Sequence, residues 1–154
     1  MNRTRQYLTI AAISTCIGGC ASLTLEHVDY AWPVESVVTV SSTSTIDEGR
    51  YALSCSVAKL AAEEFQDSTA LRGATIRILR SSEGYYFLTG PRFKHVYVFE
   101  TGRDELSLKS SIEVSKTGLR DPALNQRPPF VELVDGDRFE RMLTSSDIVE
   151  GKKP

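Results

Sequence analysis

Between residues 74 and 114 the chain repeats a short apolar run followed by a turn-forming segment, at intervals close to ten residues. The separating segments carry the Gly, Pro, Ser or Asp that tight turns require. Parallel strands need long crossover connections, whereas antiparallel strands need only short turns. This stretch therefore predicts an antiparallel meander. The four runs are Ala74–Arg80, Tyr85–Thr89, Lys94–Glu100 and Glu105–Val114.

The residues before the meander contain weaker patterns. Val37–Ile46 and Arg50–Val57 predict a hairpin, and a break of the first strand at Ser41–Ser44 stays open. Ala58–Phe65 is rich in good helix formers and predicts a helix of about two turns. Such a helix is too short to be stable by itself, so it must pack on the sheet.

The residues after the meander contain one strong hairpin pattern. Phe130–Val134 and Arg138–Leu143 flank Asp135-Gly136-Asp137, and Asp-Gly between apolar runs favours a tight turn. Asp121–Pro129 is predicted to be irregular. No second copy of the four-strand unit follows, which excludes a β-propeller formed by one chain. The predicted fold is mainly β, an antiparallel meander forming a small sandwich or partly open barrel, with one short helix near 58–65.

The amino terminus carries a different pattern. Met1–Tyr7 contains Arg3 and Arg5 and no acidic residue, and an apolar stretch of 11 residues, Tyr7–Ile17, follows. This stretch is too short for a transmembrane helix and is typical of a secretory signal peptide. It ends in Ile17-Gly18-Gly19-Cys20.

These last four residues resemble the lipobox of bacterial lipoproteins, in which an aliphatic and two small residues precede an obligatory cysteine. The resemblance covers the leader only, and no family is recognised for the rest of the chain. It implies cleavage before Cys20, a diacylglyceryl group on its thiol and, in Gram-negative bacteria, N-acylation with a fatty acid such as palmitate. The residues that follow, Ala21-Ser22, imply the outer membrane, since no Asp follows the cysteine. An ordinary secretory leader is the alternative.

Cleavage at this position would change the charge of the chain. Loss of Arg3 and Arg5 lowers the basic residues from 18 to 16 against 20 acidic ones, so the net charge moves from −2 to −4. Such a balance argues against a nucleic-acid partner. The predicted organisation is 1–19 signal peptide, 20–35 lipid-anchored tether, 36–150 single β-rich domain and 151–154 frayed tail.

Few residues in the sequence could carry chemistry. Cys55 is the only thiol left after processing, and strand alternation places it on an apolar face, where a thiol is inert. His27 and His95 lie too far apart for a zinc motif. No nucleophile elbow, P-loop or dinucleotide fingerprint occurs. We therefore predict no catalytic residue, metal or cofactor. Solvated acidic pairs are expected at Asp47-Glu48, Glu63-Glu64 and Asp104-Glu105.

Aromatic side chains crowd two neighbouring runs, 85–89 and 94–100. Because adjacent strand residues point to opposite faces, both faces of these strands are apolar. Such strands belong to a sheet that is covered on both sides, or they use one face for binding. Arginines lie close in sequence to these aromatics, a combination common in binding sites. The candidate ligand-binding residues are Tyr86, Arg92, His95 and Tyr97.

Three functions stay open at this point. The first is a lipid-anchored, non-enzymatic envelope protein in the periplasm with a structural, assembly or interaction role, whose partners are the membrane and an envelope protein. The second is a β-barrel module that binds a small molecule, lipid or peptidoglycan fragment, which predicts a roomy apolar or aromatic cavity. The third is a hydrolase that brings His95 together with Asp121 or Asp135.

Overall fold

The computed structural model describes residues 35–102 and 105–149, which comprise the last residue of the predicted tether and most of the predicted β-rich domain. The predicted signal peptide, Cys20 and the carboxyl-terminal tail lie outside the described residues. The fold is mainly β with antiparallel sheets and one short helix, α1 (Ala58–Phe65), so the predicted fold class is confirmed. The strands are β1 (Ser36–Thr39), β2 (Thr45–Glu48), β3 (Leu53–Ser56), β4 (Thr75–Arg80), β5 (Tyr86–Thr89), β6 (His95–Thr101), β7 (Leu106–Glu113), β8 (Pro122–Arg127), β9 (Phe130–Asp135), β10 (Glu140–Leu143) and β11 (Ile148–Val149).

The predicted meander forms most of a five-stranded sheet. Strands β4 to β7 follow one another as antiparallel neighbours, and β1 pairs with the other side of β4. The run Val37–Ile46 is divided between two strands, because β1 ends at Thr39 and the chain turns through a left-handed Ser44 before β2. β2 then pairs with β3 in the predicted hairpin.

A second, four-stranded sheet has the order β11-β10-β9-β8. The Asp-Gly hairpin is confirmed between β9 and β10, and its second strand begins at Glu140 because Arg138 N–H closes the turn on Asp135 O. The prediction that Asp121–Pro129 is irregular is wrong, since Pro122–Arg127 forms β8. Proline at the first strand position removes no necessary hydrogen bond, and the side chain of Leu124 enters the core.

The five-stranded sheet is covered on both faces. Residues paired across neighbouring strands share a face, so Tyr86, Leu88 and Tyr97 lie on one side of the sheet. The hairpin β2–β3 and α1 cover this side. The four-stranded sheet covers the other side, where Ser110 Oγ–H donates to Ser145 O at 2.7 Å. Neither sheet closes into a barrel, and the buried apolar side chains of the described residues form one core cluster.

No helix within residues 35–102 and 105–149 has the length and apolar character needed to cross a bilayer.

Candidate functional site

An apolar groove of about 760 Å³ lies between the five-stranded sheet and its cover of β3 and α1. The cover consists of a four-residue strand and a two-turn helix, which is too small to reach across the sheet. The groove crosses β4 to β7, a distance of about 14 Å at the usual strand spacing. At the β7 edge it is open, and Leu108 is 49% exposed there. Its apolar lining includes Tyr51, Leu53, Cys55, Leu60, Ile78, Tyr86, Leu88, Tyr97, Phe99, Leu106 and Leu108.

Two polar groups of the groove lining, the Tyr51 phenol and the Cys55 thiol, have raised pKa values. Tyr51 contacts Tyr86 edge to face, with ring centroids 5.4 Å apart, and burial raises the pKa of the Tyr51 phenol. Burial, with a smaller effect of the Asp47 carboxylate, also raises the pKa of the Cys55 thiol. A thiol with a raised pKa is a poor nucleophile at neutral pH. The Cys55 thiol therefore stays protonated at neutral pH.

A buried carboxylate, Glu64 of α1, lies where the helix meets β6. Its side chain is only 1% exposed, and it accepts hydrogen bonds from the Tyr97 hydroxyl at 2.7 Å and from the Lys94 backbone N–H. His95 Nδ1 lies 2.8 Å from the same carboxylate. The Glu64 side chain thus joins α1 to β6 through three donors, and one of them belongs to the groove lining.

Tyr97 connects this polar cluster to the groove. Its ring lines the groove, while its hydroxyl donates to Glu64. Burial, together with the hydrogen bond to the carboxylate, holds the pKa of the Tyr97 phenol far above its usual value. The hydroxyl therefore stays protonated and remains a hydrogen-bond donor.

The burial of Glu64 corrects the prediction that Glu63-Glu64 is a solvated pair. On a helix, residues four apart share a face, so Glu64 lies on the same side as the buried Leu60. The prediction for Asp47-Glu48 is also partly wrong. Glu48 is 6% exposed and accepts hydrogen bonds from Ser36 Oγ at 2.5 Å and from the Tyr51 backbone N–H at 2.9 Å. The spacing of four residues between Leu60 and Glu64 was the sequence signal that could have predicted the burial of Glu64.

The four predicted ligand-binding residues lie in three places. Tyr86 and Tyr97 line the groove, and His95 belongs to the polar cluster at its border. Arg92 lies apart, in the turn between β5 and β6, where its guanidinium stacks 5.2 Å from the ring centre of Phe65. The predicted lipidation site, Cys20, lies outside the described residues.

Arg92 borders a second, more open cleft of about 460 Å³. Arg138 also lines it, but its guanidinium donates to Asp135 Oδ2 at 2.9 Å and to Thr117 Oγ1. Arg92 itself has a left-handed backbone, with φ of 71°, and its carbonyl packs against Gly118. These contacts give the cleft a structural role in joining two loops.

The hydrolase interpretation required His95 beside Asp121 or Asp135, and the structure pairs these groups differently. Asp135 is fully buried and accepts the backbone N–H groups of Arg120 and Asp121, each at 2.8 Å. Asp121 also lies 3.7 Å from Arg77. His95 is paired with Glu64 instead. In residues 35–102 and 105–149, no hydroxyl or thiol side chain hydrogen-bonds the imidazole.

The described residues contain no group of three or more His, Cys, Asp or Glu side chains placed to hold a metal ion. No family model, curated protein or solved structure matches this chain. The groove and the Glu64 cluster must therefore be interpreted from their own geometry.

Proposed function

We propose that this protein is a lipid-anchored component of the cell envelope that binds an acyl chain in the groove and catalyses no reaction. The groove itself supports the proposal, because it has the volume of a small-molecule site and a mostly apolar lining from six elements of the fold. The presence of the groove decides between this proposal and a purely structural role. A filled core would have favoured a purely structural role, whereas an aromatic groove favours a ligand.

The chemistry of the lining selects the acyl chain among the possible ligands. A sugar or peptidoglycan fragment needs several convergent polar groups to replace its hydration. In the groove the Tyr97 hydroxyl is already bound to Glu64, and the buried Leu60 and Leu88 present only methyl and methylene groups. The serine, threonine and charged side chains of the lining are all exposed: Ser54, Ser56, Lys59, Glu63, Thr101 and Glu105. Apolar surface of this kind stabilises a hydrocarbon by about 25 cal/mol per Å² removed from water.

The start of the described chain lies at the β1 edge of the five-stranded sheet, opposite the β7 edge at which the groove is open. Glu35 is the first described residue, and its carbonyl accepts a hydrogen bond from Arg50 Nη2 at 3.1 Å. Arg50 immediately precedes Tyr51 of the groove lining. A chain of 15 residues from Cys20 to residue 34 reaches about 50 Å when extended, at roughly 3.3 Å per residue. An anchor on Cys20 would therefore keep the groove within reach of the membrane surface.

Binding can be tested on the purified protein with cis-parinaric acid, a fluorescent fatty acid. Two exposed apolar residues provide a matched pair, since Leu108 lines the mouth of the groove and Val37, 53% exposed, does not. Leu108→Glu should weaken binding by about tenfold or more, because a charge must be desolvated at the mouth. Val37→Glu should bind like the wild type. Failure of the wild type to bind, or equal binding by both variants, would contradict the proposal.

The anchor is tested separately by metabolic labelling with an alkyne analogue of palmitate. The wild-type protein should take up the label and sediment with the outer membrane, and Cys20→Ala should lose both properties. Continued membrane association of Cys20→Ala would show that another feature holds the protein at the membrane.

A further inference from the structure

The helix that covers the groove is held by apolar contacts in its first half and by polar and aromatic contacts at its last turn. α1 begins after Val57, which provides no side-chain cap, and an isolated helix of eight residues is unstable in water. Its carboxyl-terminal end carries Glu64 and also Phe65, whose ring contacts Phe93 edge to face at 5.4 Å. The contacts of the last turn add to those of the buried Leu60 and Ala61, and the position of the cover depends on both.

The same helix face forms the groove lining and the polar attachment. Leu60 lines the groove, and Glu64 lies one turn later on the same side. Displacing the carboxylate from β6 would move Leu60 away from the sheet and widen the groove. Because Tyr97 donates to Glu64, the same movement would also release a ring of the groove floor.

We propose that Glu64 is a positioning residue that latches α1 onto β6 and thereby controls access to the groove. This inference rests on the proposed function, since it takes the groove to be a ligand site. Of the three hydrogen-bond partners of Glu64, only Tyr97 belongs to the groove lining, so Glu64 acts on the groove through the helix and this ring. Opening of the latch widens the groove beyond its open β7 edge and eases entry of an acyl chain, and its closure holds the chain against the sheet.

The alkylation rate of Cys55 reports on groove access without any ligand. Cys55 lies in the groove lining. Peptide mass spectrometry after treatment of the full chain with iodoacetamide measures the alkylation of Cys55 separately from that of the other cysteines. Glu64→Gln preserves the shape of the side chain but replaces one acceptor oxygen with a donor and removes the charge. We expect it to accelerate alkylation of Cys55 several-fold under native conditions.

Asp135→Asn is the matched control for a general loss of stability. Asp135 is also a buried carboxylate with three donors, the Arg120 and Asp121 backbone N–H groups and Arg138 Nη1, but it lies in the other sheet. Asp135→Asn should lower the free energy of unfolding without accelerating the alkylation of Cys55. Tyr97→Phe, a milder change that leaves the ring in place, should accelerate alkylation less than Glu64→Gln and carries the test if Glu64→Gln does not fold.

The outcomes separate the latch from the proposed function. Equal acceleration by Glu64→Gln and Asp135→Asn would show that alkylation follows global stability, and it would overturn the latch. An unchanged rate in both Glu64→Gln and Tyr97→Phe would do the same. A wild-type protein that fails to bind cis-parinaric acid would instead overturn the proposed function, and the Cys55 rates would still decide whether α1 is latched by Glu64.

Discussion

Replacing Glu64 with alanine should change the effect that Tyr97→Phe has on the free energy of unfolding. In the wild type, Tyr97 is 1% exposed and its hydroxyl donates to a carboxylate, an interaction worth about 1.5–3 kcal/mol. Tyr97→Phe alone should therefore lower the free energy of unfolding by about 1–2 kcal/mol, since Glu64 keeps its other two donors. In Glu64→Ala the same hydroxyl is buried without a partner, and Tyr97→Phe should then be neutral or stabilising.

The cost of Glu64→Ala follows from what each donor loses. The Tyr97 hydroxyl stays buried and costs about 1–3 kcal/mol, whereas His95, one third exposed, can return to water. When the lost packing of the Glu64 side chain is included, we expect Glu64→Ala to lower the free energy of unfolding by about 2–4 kcal/mol. This is a large part of the roughly 5–15 kcal/mol that stabilises a typical domain. At about 4 °C per kcal/mol, the melting temperature should fall by roughly 10 °C.

Urea unfolding followed by far-UV circular dichroism measures all four proteins of this cycle, and equal m-values would justify comparing them. The coupling free energy between the two sites should be about 1–2 kcal/mol. If Tyr97→Phe were equally destabilising with and without Glu64, the hydroxyl and the carboxylate would not interact. The reasoning about the latch would then be refuted as well.

Three further predictions concern other parts of the fold. Gly118→Ala should destabilise the domain by several kcal/mol in thermal unfolding, because φ is +85° and the new Cβ would lie 2.7 Å from Arg92 O. Burial alone would raise the pKa of Glu48, but the hydrogen bonds that its carboxylate accepts lower this pKa overall. The contribution of Glu48 to stability is therefore present above its ordinary pKa of 4.5 and is lost as the pH falls. Glu48→Gln should flatten the acid side of a plot of unfolding free energy against pH. Alkylation of Cys55 should stay slow at neutral pH and increase only above the ordinary thiol pKa, because the folded thiol has a raised pKa.

Local patterns predicted the elements whose position depends on their own residues. α1 was predicted with its observed bounds, since the helix formers end where Gln66 turns left-handed. β8 was not predicted, because Asn125 and Gln126 have low strand propensity. Its place is set by pairing with β9 and by Glu35, which accepts the Leu124 N–H at 2.8 Å. This contact joins residues that are 89 positions apart in the sequence, so no local sequence pattern could predict it.

The candidate site was predicted only in part for a similar reason. The aromatic residues Tyr86 and Tyr97 were recognised from strand alternation, and both line the groove. The groove itself results from the mismatch between a short cover and a broad sheet, which depends on how separate elements pack. Glu64 was missed because two adjacent acids suggest a solvated pair, whereas the helix turns one of them toward the sheet.

Strand β6 shows how one segment can serve both stability and binding. Val96 and Val98 are fully buried on the side that meets the second sheet, whereas Tyr97 and Phe99 line the groove on the other side. Tyr97 belongs to the same core cluster as these valines, whereas Leu108 at the mouth of the groove is 49% exposed. Substitutions at exposed groove positions such as Leu108 should then change ligand binding more than folding, whereas substitutions of buried groove residues should affect both.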